Sequence, residues 1–139
     1  MAYVTSQRIV QGLVSAIRAN TTLRTALVGG IHEGFSAEEL DYPFAVFVVV
    51  ATPNEDDHTS RTTVMLVDVT VFSRNQVEAS NLDESMGQTL EGASLTVSGQ
   101  TSLICYRVAD LRMTDVDEEG QKVYGVGGSY EIWTTQQPT

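Results

Sequence analysis

The apolar positions of this chain follow two periods, one helical and one extended. Ile9, Val10, Leu13, Val14 and Ile17 recur three and four residues apart, a single stripe on a helix that Thr5 or Ser6 can cap. Arg8 and Arg18 lie off that stripe, and Asn20-Thr21 interrupts it. A second short helix is predicted over Thr22–Val28, stopped by Gly29-Gly30. A further helix opens at Asn75, with Glu78 three residues on in a capping-box-like arrangement. Its stripe is Ala79, Leu82, Met86 and Leu90; Gly87 weakens it slightly and Gly92 ends it.

Elsewhere the pattern is that of strands. Ile31–Phe35 reads as a short one. Tyr42 precedes Pro43 and so prefers extended backbone. Phe44–Thr52 is then a continuous apolar run, which suits a strand covered on both faces, or buried on one and met by a partner on the other. Arg61–Ser73 is the clearest strand, with Met65, Val67, Val69 and Val71 on one face and Leu66, Asp68, Thr70 and Phe72 on the other. Pro53–Ser60 joins these two as a loop longer than a tight turn. Leu95–Val97 is a short extended piece. Leu103–Thr114 and Lys122–Thr134 form a second hairpin around the acidic loop Asp115–Gly120. Tyr124, Val126, Tyr130 and Ile132 share a face of the last strand. Gly125, Gly127 and Gly128 in it mark a bulge or a close backbone approach.

The resulting order is helix, hairpin, helix, hairpin. It predicts an α+β fold: a mostly antiparallel sheet of about four to five strands, with two main helices packed on its valine-rich face. The chain reads as one domain over residues 1–139, with an ordered core over 3–134 and a tail, 135–139, that frays.

Charge narrows the choice of partner. There are 18 acidic residues against 8 basic, a net charge of −10. Such a surface repels phosphate and anionic headgroups, which argues against sequence-reading nucleic-acid binding and against membrane docking. The longest apolar run, Phe44–Ala51, is too short to span a bilayer, and the first residues carry no basic-then-apolar signal pattern. A cytosol-like compartment is expected.

Candidate chemistry is sparse. Cys105 is the sole cysteine, placed in a strand where it reads as a small buried hydrophobe. His58 follows Glu55, Asp56 and Asp57, but the segment fits neither transition-metal ligand spacing nor a calcium loop, so no metal and no cofactor is expected. His32 has no orienting partner in sequence. No GxSxG, HExxH, GxxxxGK[ST] or GxGxxG occurs, and Asp117, Glu118 and Glu119 sit in a turn where water reaches them. No catalytic residue is assigned, and the chain is not expected to be an enzyme. Seven of the eight basic residues are arginine, the type favoured for bidentate pairs at interfaces. Arg61, Arg74, Arg107 and Arg112, with Asp68 as an acidic counterpart, are the candidate contacts between subunits.

Several segments together are similar to one family. "LRTALVGGIHEGF" closes the helical start, "YPFAVFVVV" opens the sheet, and "VDVTVFS" runs directly into the helix "NQVEASNLDESMGQTLEG". "LRMTDVDEEGQKVYGVGGSYEIWT" closes the fold as a strand pair around a polar loop. Over about residues 3–134 this resembles the tail-completion proteins of long-tailed bacteriophages, also called tail terminators or tail-to-head joining proteins. The resemblance implies an α+β protein that assembles as a homo-oligomeric, hexameric ring. The ring caps the tail tube, stops its polymerisation, and meets a head-connector or neck protein. DNA passes through without sequence-specific binding. The place implied is the tail–neck region of the virion, after assembly in the bacterial host cytoplasm. Glu55, Asp56, Asp57, Asp117, Glu118 and Glu119 are then candidates for acidic loops facing the lumen or neck. The alternatives are another neck or tail subunit, such as a tube or adaptor protein, and a small soluble protein-binding module.

Overall fold

The computed structural model describes residues 6–34, 41–51, 54–56, 61–91 and 102–136. Three helices, α1 (Ser6–Ala19), α2 (Thr21–Ala26) and α3 (Gln76–Leu90), accompany six strands. These are β1 (Ile31–Glu33), β2 (Phe44–Ala51), β3 (Asn54–Asp56), β4 (Arg61–Ser73), β5 (Ser102–Val116) and β6 (Lys122–Gln136). The sheet runs β1-β2-β4-β6-β5, and β3 pairs with the start of β4. The fold is α+β, and every pairing is antiparallel except β1 with β2.

Alternation along β4 decides which face takes the helices. Met65, Val67, Val69 and Val71 are all at most 1% exposed and pack with Leu13 and Ile17 of α1, Leu23 and Leu27 around α2, and Leu82, Met86 and Leu90 of α3. Each such side chain contributes roughly 1.5–3 kcal/mol by leaving water. Tyr130, Ile132 and Cys105 extend this core onto β6 and β5. Burial pushes the Cys105 thiol up to about 12, and nearby Glu91 adds to the shift. The other face holds a smaller cluster of Val46, Phe72 and Val123, with Tyr42 and Phe44 against it.

The helix ends are set by side chains. Asn75 Oδ1 accepts from the amides of Val77 and Glu78. The return half of the expected capping box runs through a relay: Ser73 Oγ donates to Glu78 and accepts from the Asn75 amide. Asn20 separates α1 from α2 because its side chain caps Leu23 while its amide donates to Thr89 Oγ1 of α3 at 3.0 Å. One residue thus ends one helix, starts the next and ties both to a third.

Several boundaries differ from the sequence reading. Asn54–Asp56 is strand, not loop: β2 kinks between Val49 and Ala51, and β3 resumes pairing opposite Thr63–Arg61. β5 continues through Asp115 and Val116 because both pair with β6, so the second loop begins at Asp117. β6 reaches Gln136, since Thr135 lies opposite Ser102 and Thr62. The second helix starts a residue early and ends at Ala26. The piece predicted at Leu95–Val97 lies outside the described residues.

Candidate functional site

Two arginine–aspartate constellations organise the molecule. The first lies under α3. Arg107 of β5 occupies a bulge, where the pairing with β6 slips between Arg107 and Ala109. Its guanidinium meets Asp83 of α3 in a two-pronged pair, Nη1 to Oδ1 at 3.0 Å and Nη2 to Oδ2 at 2.9 Å. Nη1 also donates to the Tyr130 hydroxyl, Nη2 to the Gly127 carbonyl at 2.7 Å, and Nε to Asp110 at 2.8 Å. A guanidinium has five N–H donors, and all five are used.

Glycine makes the room for this. A Cβ at Gly128 would stand 2.6 Å from Arg107 Cζ, and one at Gly127 would stand 2.1 Å from the Val69 carbonyl oxygen. Gly127 is therefore a close approach of two backbones, as the glycine cluster predicts, and Gly128 is the seat of an arginine. The bond to Asp83 holds Arg107 charged, above its ordinary pKa. Burial pushes the Tyr130 hydroxyl up to about 12, against the pull of Arg107.

The second constellation is at the tip of the β5–β6 hairpin. Asp117 Oδ1 accepts from the amides of Glu119 and Gln121, and Gly120 takes a left-handed φ of 81° to close the turn. Asp117 Oδ2 meets Arg74 Nη1 at 2.7 Å, and Arg74 lies over the Tyr42 ring at 4.6 Å. The Gln121 amide, then Arg74, holds the Asp117 carboxyl below its ordinary pKa. The hairpin tip is thereby fastened beside the entry to α3.

The predicted residues distribute as follows. Arg107 was expected between subunits, and its donors are committed inside the chain. Arg74 is paired with Asp117. Asp68 lies on the helix-free face, opposite Ser129, whose hydroxyl donates to it at 2.5 Å. Arg112 is exposed on the edge strand and, among the described residues, makes no hydrogen bond or ion pair. Glu118 and Glu119 are exposed at the tip, while Asp117 builds the turn. Glu55 and Asp56 lie on β3, with Asp56 opposite Arg61 in the backbone register. Asp57 and His58 lie outside the described residues. His32 Nε2 is 2.6 Å from the Gly29 carbonyl oxygen, a local bond between β1 and the turn before it.

Sequence reading missed Asp83 and its pairing with Arg107, which also donates to the Tyr130 hydroxyl. A signal was present: Asp83 is four residues after Ala79 and three before Met86, so it falls on the apolar stripe of α3. A charge on a buried stripe requires a buried partner.

The helix-free face carries exposed apolar side chains. Val48 and Val50 of β2 are 39% and 53% exposed, and Tyr106 and Met113 of β5 are 50% and 45% exposed. Among the described residues no cluster of three metal-ligating side chains occurs, and no helix is long and apolar enough to cross a membrane.

No protein-family model matches the chain, and no curated relative matches it. Among solved structures, a chain from the virion of a native gene transfer agent (GTA) particle has the same fold, with a TM-score of 0.70 at 14% identity. The match covers 96% of this chain and 99% of that one. A second solved structure, 12% identical over 94% of this chain and 96% of its own, gives a TM-score of 0.55.

Proposed function

We propose that this chain is a structural virion protein that forms a ring on the end of a phage-type tail tube, terminates the tube and joins tail to head. The observation that carries this reading is the end-to-end likeness in fold to a chain of a GTA virion particle. The family resemblance in the strand and helix segments supports the same role. The chemistry of the molecule is in keeping with it: the arginines described under α3 and at the hairpin tip build structure, and no catalytic role is proposed. Partners would be further copies of the chain, a tail tube protein and a neck protein. Exposed Glu118 and Glu119 at the hairpin tip would face passing DNA without attracting it.

Light scattering on a sizing column, over a range of concentrations and with purified tail tubes, tests the proposal. A discrete closed ring, formed alone or on tube ends, is expected. An open-ended polymer would assign the chain to the tube itself. A monomer indifferent to every tail component would leave only a protein-binding module.

A further inference from the structure

Among the arginines whose surroundings are described on the sheet and its flanks, Arg112 stands apart. Arg74 and Arg107 each hold a carboxylate of the same chain. Arg112 holds none among the described residues. It lines a pocket of about 310 Å³ between the start of α3 and the β5–β6 hairpin, together with Gln76, Thr114, Tyr124 and Val126. The guanidinium, the Gln76 amide and two hydroxyls supply donors, and among the described residues no acidic side chain lines the pocket. A guanidinium fork with no carboxylate partner among the described residues fits a carboxylate from outside.

The sheet indicates where that carboxylate comes from. Arg112, Val126, Val71, Ala45 and Ile31 form one continuous row from the β5 edge to the β1 edge. Opposite residues share a face, and Val71 and Ala45 belong to the core under the helices. Arg112 and Ile31 therefore lie on the helix side of opposite edges. Glu33, two residues along β1, stands opposite the core residue Phe47 and so shares that side; it is exposed. Tracing directions across the pairings, β5 runs opposite to β1. When copies are joined head to tail, β5 of one copy would meet β1 of the next in antiparallel sense, with the same side of the sheet facing the helices.

Charge then selects the stagger. The row that ends at Glu33 runs through Phe47, Val69 and Gly128 to Asp110, which is exposed. In straight alignment Glu33 would face this acid. A shift of two residues, about 6.8 Å, brings it to Arg112 instead. We propose that the Arg112 pocket receives the Glu33 carboxylate of a second copy of this chain, and that this contact sets the register between neighbours. The proposal rests on the ring-forming reading above. Such a contact joins different patches of identical subunits and closes into a ring where the rotation permits.

The test uses the full chain and measures association by sedimentation, alone and on tail tubes. Arg112→Glu is expected to weaken association at least roughly tenfold, because like charges then face each other. Glu33→Arg should do the same. The double variant, with the pair reversed, should recover association to within roughly threefold of the natural chain, an outcome that general surface damage would not give. Both residues are exposed, so the urea midpoint of each variant should match the natural chain. A ring that forms unchanged with Arg112→Glu, or a double variant no better than the singles, overturns the pocket and leaves the ring reading standing. A natural chain that never closes into a ring overturns both.

Discussion

Two arginine–aspartate pairs, alike in sequence terms, are held in different surroundings in this molecule. Arg107 and Asp83 have side chains 18% and 11% exposed, joined in two-pronged geometry with every guanidinium donor satisfied. Arg74, with its side chain 41% exposed, meets Asp117, 16% exposed, through one nitrogen at the hairpin tip. The first pair is beneath a helix; the second is at a hairpin tip, where water reaches Arg74 and the turn amides hold Asp117. Removing one partner from the first leaves a charge with no compensation, whereas removing one from the second leaves a charge that water can solvate. The same two residue types therefore act as a structural member in one place and as a light fastening in the other.

The largest effect should come from breaking the buried pair. Asp83→Ala should destabilise the fold by about 3 kcal/mol in urea unfolding, because Arg107 would stay charged beneath α3. A loss below about 1 kcal/mol would show that water reaches Arg107, and the contrast between the pairs would fall. Next, Gly128→Ala places a methyl group against Arg107 Cζ and should cost about 2 kcal/mol. In an Arg107→Ala background that cost should shrink, since the neighbour is gone; equal costs in both backgrounds would point to the backbone instead.

Alkali probes the same site more gently. The Tyr130 hydroxyl is raised from 10.0 to about 12 in the folded state, so its contribution is complete below pH 10 and is lost as pH rises towards 12. Stability should fall across that window, and Tyr130→Phe should flatten the part of the fall due to this residue. The smallest effect belongs to the tip. Arg74→Ala should leave the urea midpoint nearly unchanged but speed amide exchange at Glu119 and Gln121. The Asp117 carboxyl is held below its ordinary range, so the tip fastening is present above the unfolded pKa and lost as pH falls through the lower folded value. Exchange at the tip should accelerate in acid before the body of the sheet responds.

Much of the fold was legible because alternation and helical spacing are local. The β4 valines, the α3 stripe and the Asn75 cap each follow from neighbours within four residues. The class of fold followed from their order. Arg107 was legible only as an arginine, because its meaning depends on Asp83, which is 24 residues away, and on Tyr130, which is 23 away. The strand ends were misplaced for the same reason: Asp115 and Val116 fall in an acidic run and Thr135 near the end of the sequence, and only their partners on β6, β5 and β4 make them strand.

By itself, then, the sequence determined which segments are helix or strand, which side of each is apolar, and that the surface is strongly acidic. These are properties of a residue and its near neighbours, set by sterics, spacing and charge. Tertiary structure alone decided that Arg74 and Arg107 are consumed within the chain and that Arg112, at an edge, holds no carboxylate among the described residues. That choice depends on what a bulge, two glycines and a helix bring within 3 Å of a guanidinium. No local pattern encodes such a distance, because its ends are joined only when the sheet closes.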